Sequence, residues 1–453
     1  MQDYDAVVIG AGHNGLTCAA YLGTAGLKVK VFEKRHLVGG AAVTEEFYPG
    51  FRNSVAAYAI SLLNPKIVDD LQLHAHGLQI VERVAQNFLP NLDGHYLLLS
   101  DAKPQRDIAK LNLKDAQNYD GFIRNLDNCA DILRDLVLRA PPNLTAGLNF
   151  NSLSELARAA ALLNRLRRTS RNQLRIVFDF VTKPVSDILD GWFENDLVKS
   201  LFAFDAVVGN FASPYTVGTA YGLLHHAFGE VNGKKRVWGH AIGGMGAVTQ
   251  AMARAAKAHG VDVETNAPVR EVLVENRRAQ GVVLADGRVV RARIVAANVN
   301  PRLLYTALIP ASLLEPEFRS RIGRWRCESG TFRMNVALSQ LPRFSALPDK
   351  GMAPHHSAGI IIAPSLNYMD LAHADARRFG WSRDPIIEML IPSTLDTTLA
   401  PPGAHVASLF CQHAAPNLPD AMSWHEQRDH VAKLMIDTVE RYAPGFKASV
   451  LGY

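Results

Sequence analysis

Cysteine is scarce, at four in 453 residues. Cys18, Cys129, Cys327 and Cys411 form no Cys-x-x-Cys and no paired spacing, which excludes a disulfide scaffold and a redox-active dithiol and fits a reducing compartment. Uninterrupted apolar runs are short, and none approaches the ~18 residues that a bilayer-crossing helix needs. A strong charge of one sign is lacking too: 48 Lys and Arg face 43 Asp and Glu. That surplus of five is too small to imply a nucleic-acid partner, and it has one local exception, described below. Gly and Pro together are 56 of 453 residues while 48% are hydrophobic, which excludes collagen, disorder and low complexity. The opening residues are acidic and pass at once into a strand pattern, so no signal or transit peptide is expected and the expected location is cytoplasmic. At about 150 residues per domain, the length suits two or three domains.

What is there begins with strand, glycine-rich turn, helix, strand. Ala6-Val7-Val8-Ile9 has the all-apolar pattern of a buried parallel strand. Gly10-Ala11-Gly12-His13-Asn14-Gly15 then opens a helix from Leu16 to about Ala25, Gly26 ends it, and Lys28 to Phe32 forms a second strand finishing on Glu33. Gly-x-Gly-x-x-Gly is weak evidence alone, but between a strand and a helix, with an acid eighteen residues after Gly15, it is a dinucleotide fingerprint. Gly10 makes the tight turn, Gly12 lets backbone approach a pyrophosphate, Gly15 allows helix to pack on strand, and the helix N-terminus offers free N–H groups to phosphate. Glu33 would accept from ribose hydroxyls, which favours FAD or NAD over NADP. There is no second such motif after a strand, so no dedicated NAD(P)H domain is expected.

Helical patterns dominate from Asp69 to about Arg139, broken by a strand pair around Asn91 to Leu99 turning at Asp93-Gly94. Residues 151–175 read as one basic amphipathic helix, apolar at Leu153, Leu156, Ala160, Leu163 and Leu166 and rich in Arg elsewhere. It is the candidate for peripheral contact with a membrane surface. A second α/β stretch starts near Trp238, with Gly243-Gly244-Met245-Gly246 before a helix and strands at 261–264, 269–274, 281–284 and 289–296; the last long helix runs from Trp424 to Tyr442. His74-x-His76, His225-His226 and His355-His356 lack metal-ligand spacing, so no metal is expected. Gly229 to Lys235 falls short of a phosphate-binding P-loop. Cys18, on the first helix, is expected to pack in the core.

Gly39-Gly40-Ala41-Ala42 resembles the glycine doublet of flavoproteins with glutathione-reductase and amine-oxidase folds. The stretch from Asp3 to Thr44, the Gly243 to Gly246 turn, Ala267 to Val272 and Ile294 to Asn298 together resemble the phytoene desaturase family of FAD-dependent oxidoreductases. Ser213-Pro214, Gly222 to His226, Pro392 to Asp396 and Leu399 to Gly403 narrow the resemblance to the branch called pyridine nucleotide-disulphide oxidoreductase domain-containing protein 2. The resemblance implies an α/β fold: a Rossmann-type FAD-binding domain from residues 1–68 and 236–300, with an inserted α+β substrate domain from 69–235 and 301–453. It implies FAD as cofactor, with Gly10, Ala11, Gly12, Asn14 and Gly15 at the diphosphate, Gly40 and Ala41 beside it, Glu33 and Lys34 at the adenosine ribose, and Val269 at the adenine. The segment Phe51 to Ser61 would lead towards the flavin ring, with Tyr58, His225 and His226 as pocket-lining candidates. No catalytic residue is assigned. The implied function is hydride transfer between an apolar organic substrate, a polyene among the candidates, and the flavin. An amine or amino-acid oxidase is the alternative enzyme, and a non-catalytic FAD-binding or regulatory interaction protein the alternative of another class. For a eukaryotic member the resemblance implies the mitochondrial matrix. The family's Gly-rich turn and helix that close over the flavin would follow Tyr442, but the chain ends at Leu451-Gly452-Tyr453, so that segment is expected to be absent.

Overall fold

The computed structural model of the chain describes residues 3–100, 102–143, 150–327, 329–349 and 351–453, and within the helices the side chains of 135, 136, 150–154, 165, 166 and 168 also lie outside the described set. Two sheets organise it. The first has six strands in the order Asp262–Glu264, Val29–Phe32, Tyr4–Ile9, Val289–Ala297, Arg278–Leu284, Val269–Glu275. Its first four strands are parallel and its last two form an antiparallel meander. Parallel strands must be covered on both faces. Helices His13–Thr24 and Met245–Ala258 pack together on one face, where Val8, Leu16, Ala19, Val31, Val248 and Met252 are buried.

On helix His13–Thr24 the inward stripe is Gly15, Leu16, Ala19 and Ala20, and Cys18 falls outside it, exposed. The expected core packing of Cys18 is therefore corrected: at 3.6 residues per turn it cannot share the stripe of its neighbours Leu16 and Ala19.

The second sheet has seven strands in the order Val450–Gly452, Thr331–Leu338, His405–Ala414, Trp381–Leu390, Gly359–Ile362, Asn87–Pro90, Tyr96–Leu99. Side chains alternate across it. Ile360, Ile362, Ile387 and Met389 pack against helix Trp424–Tyr442 on one face. Ile361 and Ile386, with Glu388 in the same register, face a helical layer on the other. That layer is built on Phe122, whose ring centroid lies 5.0 Å from Phe193 and 4.7 Å from Phe202. The first strand of the expected Asn91–Leu99 pair ends earlier, at Pro90, because Asn91 and Asp93 turn the chain with their own side chains, Asp93 Oδ1 accepting the His95 N–H at 2.9 Å.

The expected single helix over 151–175 is two, Phe150–Arg168 and Arg171–Thr182. Ser170 breaks them and starts the second with a capping box: its Oγ accepts from Gln173 N at 3.2 Å, and Gln173 Oε1 accepts from Ser170 N at 3.1 Å. Among the described residues no helix is long and apolar enough to cross a membrane.

The hairpin Thr44–Tyr48 and Phe51–Ser54 ties the two sheets. Thr44 Oγ1 accepts from Gly246 N and Ser54 Oγ from Met245 N, both at 3.0 Å, while Arg333 and Asn335 of the second sheet donate to the Ser54 carbonyl at 2.9 and 3.1 Å. Hydroxyls thus take the N-terminal N–H groups of helix Met245–Ala258. The first helix begins at Gly12 without any side-chain cap.

Candidate functional site

Strand Tyr4–Ile9 has its successor in sequence, Val29–Phe32, on one side and Val289–Ala297 on the other, so a crevice opens beyond its carboxyl end. Such a switch point is where open α/β sheets bind ligands. Gly10 leaves the strand at φ +94°, where a side chain would be strained. A Cβ on Gly15 would lie 2.1 Å from the Gly10 carbonyl, whereas one on Gly12 would meet the Asn298 Nδ2 at 3.0 Å and Gly40 Cα at 3.9 Å. Gly40, at φ +59°, sits with its own would-be Cβ 3.1 Å from Gly12 Cα, and Gly39 N donates to Ala11 O at 2.8 Å. Bare backbone therefore faces bare backbone across a groove at the uncapped helix start. Asn14 and Ala41 are exposed at its edges, as is Lys34.

Glu33 is 6% exposed; its Oε2 accepts from Ala11 N and its Oε1 from Arg35 N, each at 2.9 Å. Asn266 N and Ala267 N donate to the carbonyls of Arg35 and Glu33, both at 2.9 Å, which carries half-buried Val269 alongside the acid. Glu33 is thus hydrogen-bonded both to the glycine-rich turn and to the segment that leads into Val269. A cradle that a Cβ would fill, an unblocked helix N-terminus and a carboxylate at the next strand end fit a dinucleotide such as FAD. Asn298, which closes this cradle from the neighbouring strand, was visible in sequence only as part of a family-like stretch.

A second group lies between the second sheet and the helical layer. Glu388 is 7% exposed and accepts a short hydrogen bond from Tyr58 Oη. Burial pushes the Glu388 carboxyl up, against the pull of Arg83, and burial with Glu388 beside it pushes the Tyr58 hydroxyl up. The Arg333 guanidinium lies over the Tyr58 ring at 4.9 Å, its pKa brought down to about 10 by burial. Arg83, 7% exposed, faces the Trp238 indole at 5.8 Å.

Beside Trp238 a cavity of about 560 Å³ opens in the helical layer, lined by apolar Tyr119, Ile123, Leu126, Phe202 and Leu223 and by polar or charged Asn87, Asp120, Asp205, His226, Lys235 and Arg236. Burial raises the Asp205 carboxyl, with His226 and Arg83 opposing. Of the sequence candidates for lining a pocket, Tyr58 and His226 reach this region, and His225 does not: it is exposed one position along the helix Ala220–His226, whose inward residues are Leu223 and Leu224. Glu388, Arg83, Arg333 and Asp205 were missed. The one available signal was Glu388, a lone charge in the apolar run Ile386 to Leu390.

A third group is structural. Asp396 Oδ2 accepts from His240 Nε2 at 3.1 Å and Gly243 N at 2.6 Å, and its Oδ1 from Thr398 N and Oγ1 at 3.0 and 2.6 Å. Burial alone would raise this carboxyl, but these donors hold it well below the usual carboxylate range. Asp396 thereby anchors the turn that leads into helix Met245–Ala258.

Among the described residues one cluster, Asp349, His355 and His356, has metal-like proximity. His356 is committed elsewhere, its Nδ1 accepting from Ala353 N at 3.1 Å and its Nε2 donating to Pro342 O at 2.9 Å. The remaining pair is too few for a metal site.

Residues 15–331 match the family described as Flavin containing amine oxidoreductase. Pyridine nucleotide-disulfide oxidoreductase domain-containing protein 2 of Rattus norvegicus is 41% identical over 471 positions, taking in 99% of this chain and 80% of that protein. A lycopene-forming phytoene desaturase of Pseudescherichia vulneris is 25% identical over 98% of this chain and 83% of its own length. The solved structure of wild-type putrescine oxidase bound to putrescine shares the fold at a TM-score of 0.60 and 17% identity, covering 100% of this chain and 84% of that one. The chain belongs to the flavin-containing amine oxidoreductase family and is an FAD-dependent oxidoreductase with a Rossmann-type dinucleotide-binding sheet.

Proposed function

We propose that the protein is a dehydrogenase of the desaturase type, acting on a C–H bond beside an unsaturation or other activating group of a small apolar organic substrate, with polyenes the first class to test. The cavity of about 560 Å³ supports this reading, because Tyr119, Ile123, Leu126, Leu201, Phe202 and Leu223 give it an aromatic and aliphatic wall large enough for an organic substrate, beside polar and charged groups that can orient it. Gly10, Ala11, Gly12, Asn14 and Gly15, with Gly40 and Ala41, would hold the FAD diphosphate. Glu33 and Lys34 would meet the adenosine ribose, and the backbone of Val269 the adenine. Bound FAD supplies a two-electron acceptor. The chain's own part is to bury the substrate's apolar body against Tyr119, Leu126, Phe202 and Leu223 and exclude water. Asp205, His226 and Asn87 orient the polar end.

Two carboxyl groups, buried Glu388 and half-buried Asp205, favour a second reading, an amine substrate seated by its ammonium. Arg83 and Arg333 beside them oppose it, since a third cation would then enter the same buried group.

The test is anaerobic mixing of the flavin-loaded protein with a carotenoid-type polyene in detergent micelles and, separately, with putrescine. Bleaching of the flavin absorbance by the polyene alone is expected. Bleaching by the diamine alone would replace this reading with the amine one.

A further inference from the structure

We propose that helices Phe150–Arg168 and Arg171–Thr182 dock the protein onto an anionic lipid surface. Residues 150–183 hold seven Lys and Arg against two Asp and Glu, a surplus of five, which equals the surplus of the whole chain, 48 against 43. Outside this stretch the protein is neutral. The stretch is thus strongly basic for its length, as contact with an anionic surface requires.

The second helix pairs that charge with apolar surface. Leu174, Phe178 and Val181, at spacings of four and three, form one stripe and are 38%, 65% and 45% exposed, while Phe180 on the opposite side is buried. Val217 and Tyr221, 74% and 47% exposed, extend the stripe, since Gly218 N and Ala220 N donate to the Lys183 carbonyl just past the helix end. Arg171 and Arg175 are exposed on the same helix. The two acids of the stretch are already engaged, Glu155 by Arg158 at 2.6 Å and Asp179 by Lys183 at 3.3 Å.

Exposed Phe, Leu and Val on one helix with Arg171 and Arg175 match the interfacial zone of a bilayer, where apolar groups enter the acyl boundary and cations meet phosphate. A nucleic-acid backbone would use the arginines and leave the apolar stripe in water. Helix Arg171–Thr182 packs on Leu113–Val137 and Ala220–His226, both of which contribute walls to the cavity, so docking would bring the cavity's helical side to the lipid. The docking itself does not depend on which substrate the cavity takes.

Co-sedimentation of the FAD-loaded protein with vesicles tests this. Binding is expected with phosphatidylcholine mixed with phosphatidylglycerol, weaker with phosphatidylcholine alone, and reduced by added salt. Arg171→Gln with Arg175→Gln is expected to weaken binding to the anionic vesicles about 25-fold, at about fivefold per cation. Phe178→Ser should weaken it about tenfold. Both variants should keep wild-type far-ultraviolet circular dichroism and FAD content, since all three side chains face solvent. Equal wild-type binding to the two vesicle types, wild-type binding by the folded variants, or displacement from vesicles by a labelled DNA duplex would overturn the proposal.

Discussion

Replacing Gly12 by Val separates cofactor binding from folding. Gly12 has φ −69° and ψ 169°, an extended conformation that any residue adopts, so no backbone strain arises. Its new Cβ would crowd the Asn298 amide nitrogen at 3.0 Å, a flexible side chain that can give by a few tenths of an ångström, and would make ordinary contact with Gly40 Cα at 3.9 Å. Crowding of this kind costs about 1–2 kcal/mol, partly offset by about 0.5–1 kcal/mol from removing a glycine's freedom in the unfolded chain. The net is about 1 kcal/mol, a shift of a few degrees at most in Tm when the two proteins are compared free of FAD.

The pyrophosphate fares worse, because the side chain stands in the groove that Gly12 and Gly40 leave bare. Losing two hydrogen bonds to a charged group, at about 1.5–3 kcal/mol each, weakens FAD by roughly two to four powers of ten in Kd. Flavin-to-protein absorbance after purification and fluorescence titration of the FAD-free protein measure this. Gly15→Ala is the contrast: its Cβ would sit 2.1 Å from the Gly10 carbonyl, which cannot move aside, so this variant should lose stability whether or not FAD is present. Stoichiometric FAD in folded Gly12→Val would refute the placement of the pyrophosphate, as would unfolding of Gly12→Val to the same extent as Gly15→Ala.

Two pH-dependent effects follow from the buried carboxyls. Burial raises the Glu388 pKa, so the native state keeps this proton to higher pH than the unfolded chain does, and stability falls as pH rises above the ordinary carboxylate value. Glu388→Gln, which cannot ionise, should show a shallower fall of Tm from pH 5 to pH 8 than the wild type; an unchanged slope would show that Glu388 does not titrate there. Asp396 is the opposite case. Its carboxyl lies below the ordinary range, so it stabilises the fold above about pH 4, and that contribution is lost as acid takes the pH down through the native value. Asp396→Asn should cost about 2 kcal/mol at pH 7 in urea unfolding, and the gap to wild type should narrow below pH 4. A gap independent of pH would assign the cost to packing instead of charge.

The dinucleotide cradle was legible in sequence because every part of it is local. A strand, a turn needing positive φ at Gly10, a helix start and an acid on the next strand lie within residues 4 to 33, and each leaves its mark in residue type and spacing. Even so, Asn298, nearly three hundred residues away, enters the cradle only because strand Val289–Ala297 pairs with Tyr4–Ile9. The apolar run Ile386 to Leu390 is equally plain in the sequence. It could not say what the one charge in that run would face.

That was decided by tertiary packing. Glu388, Tyr58, Arg83, Arg333 and Asp205 come from five separate segments, and neither their meeting nor their burial is written in any local spacing. The same holds for surface chemistry: periodicity marked residues 151–175 as basic and amphipathic, but only the folded layer determined that Phe180 turns inward while Phe178 stays in solvent. Sequence by itself determined the FAD-type fingerprint, since backbone geometry there is set by near neighbours. Tertiary structure alone determined the buried charges and the exposed apolar stripe, because desolvation depends on everything that packs around a group and not on the residues beside it in the chain.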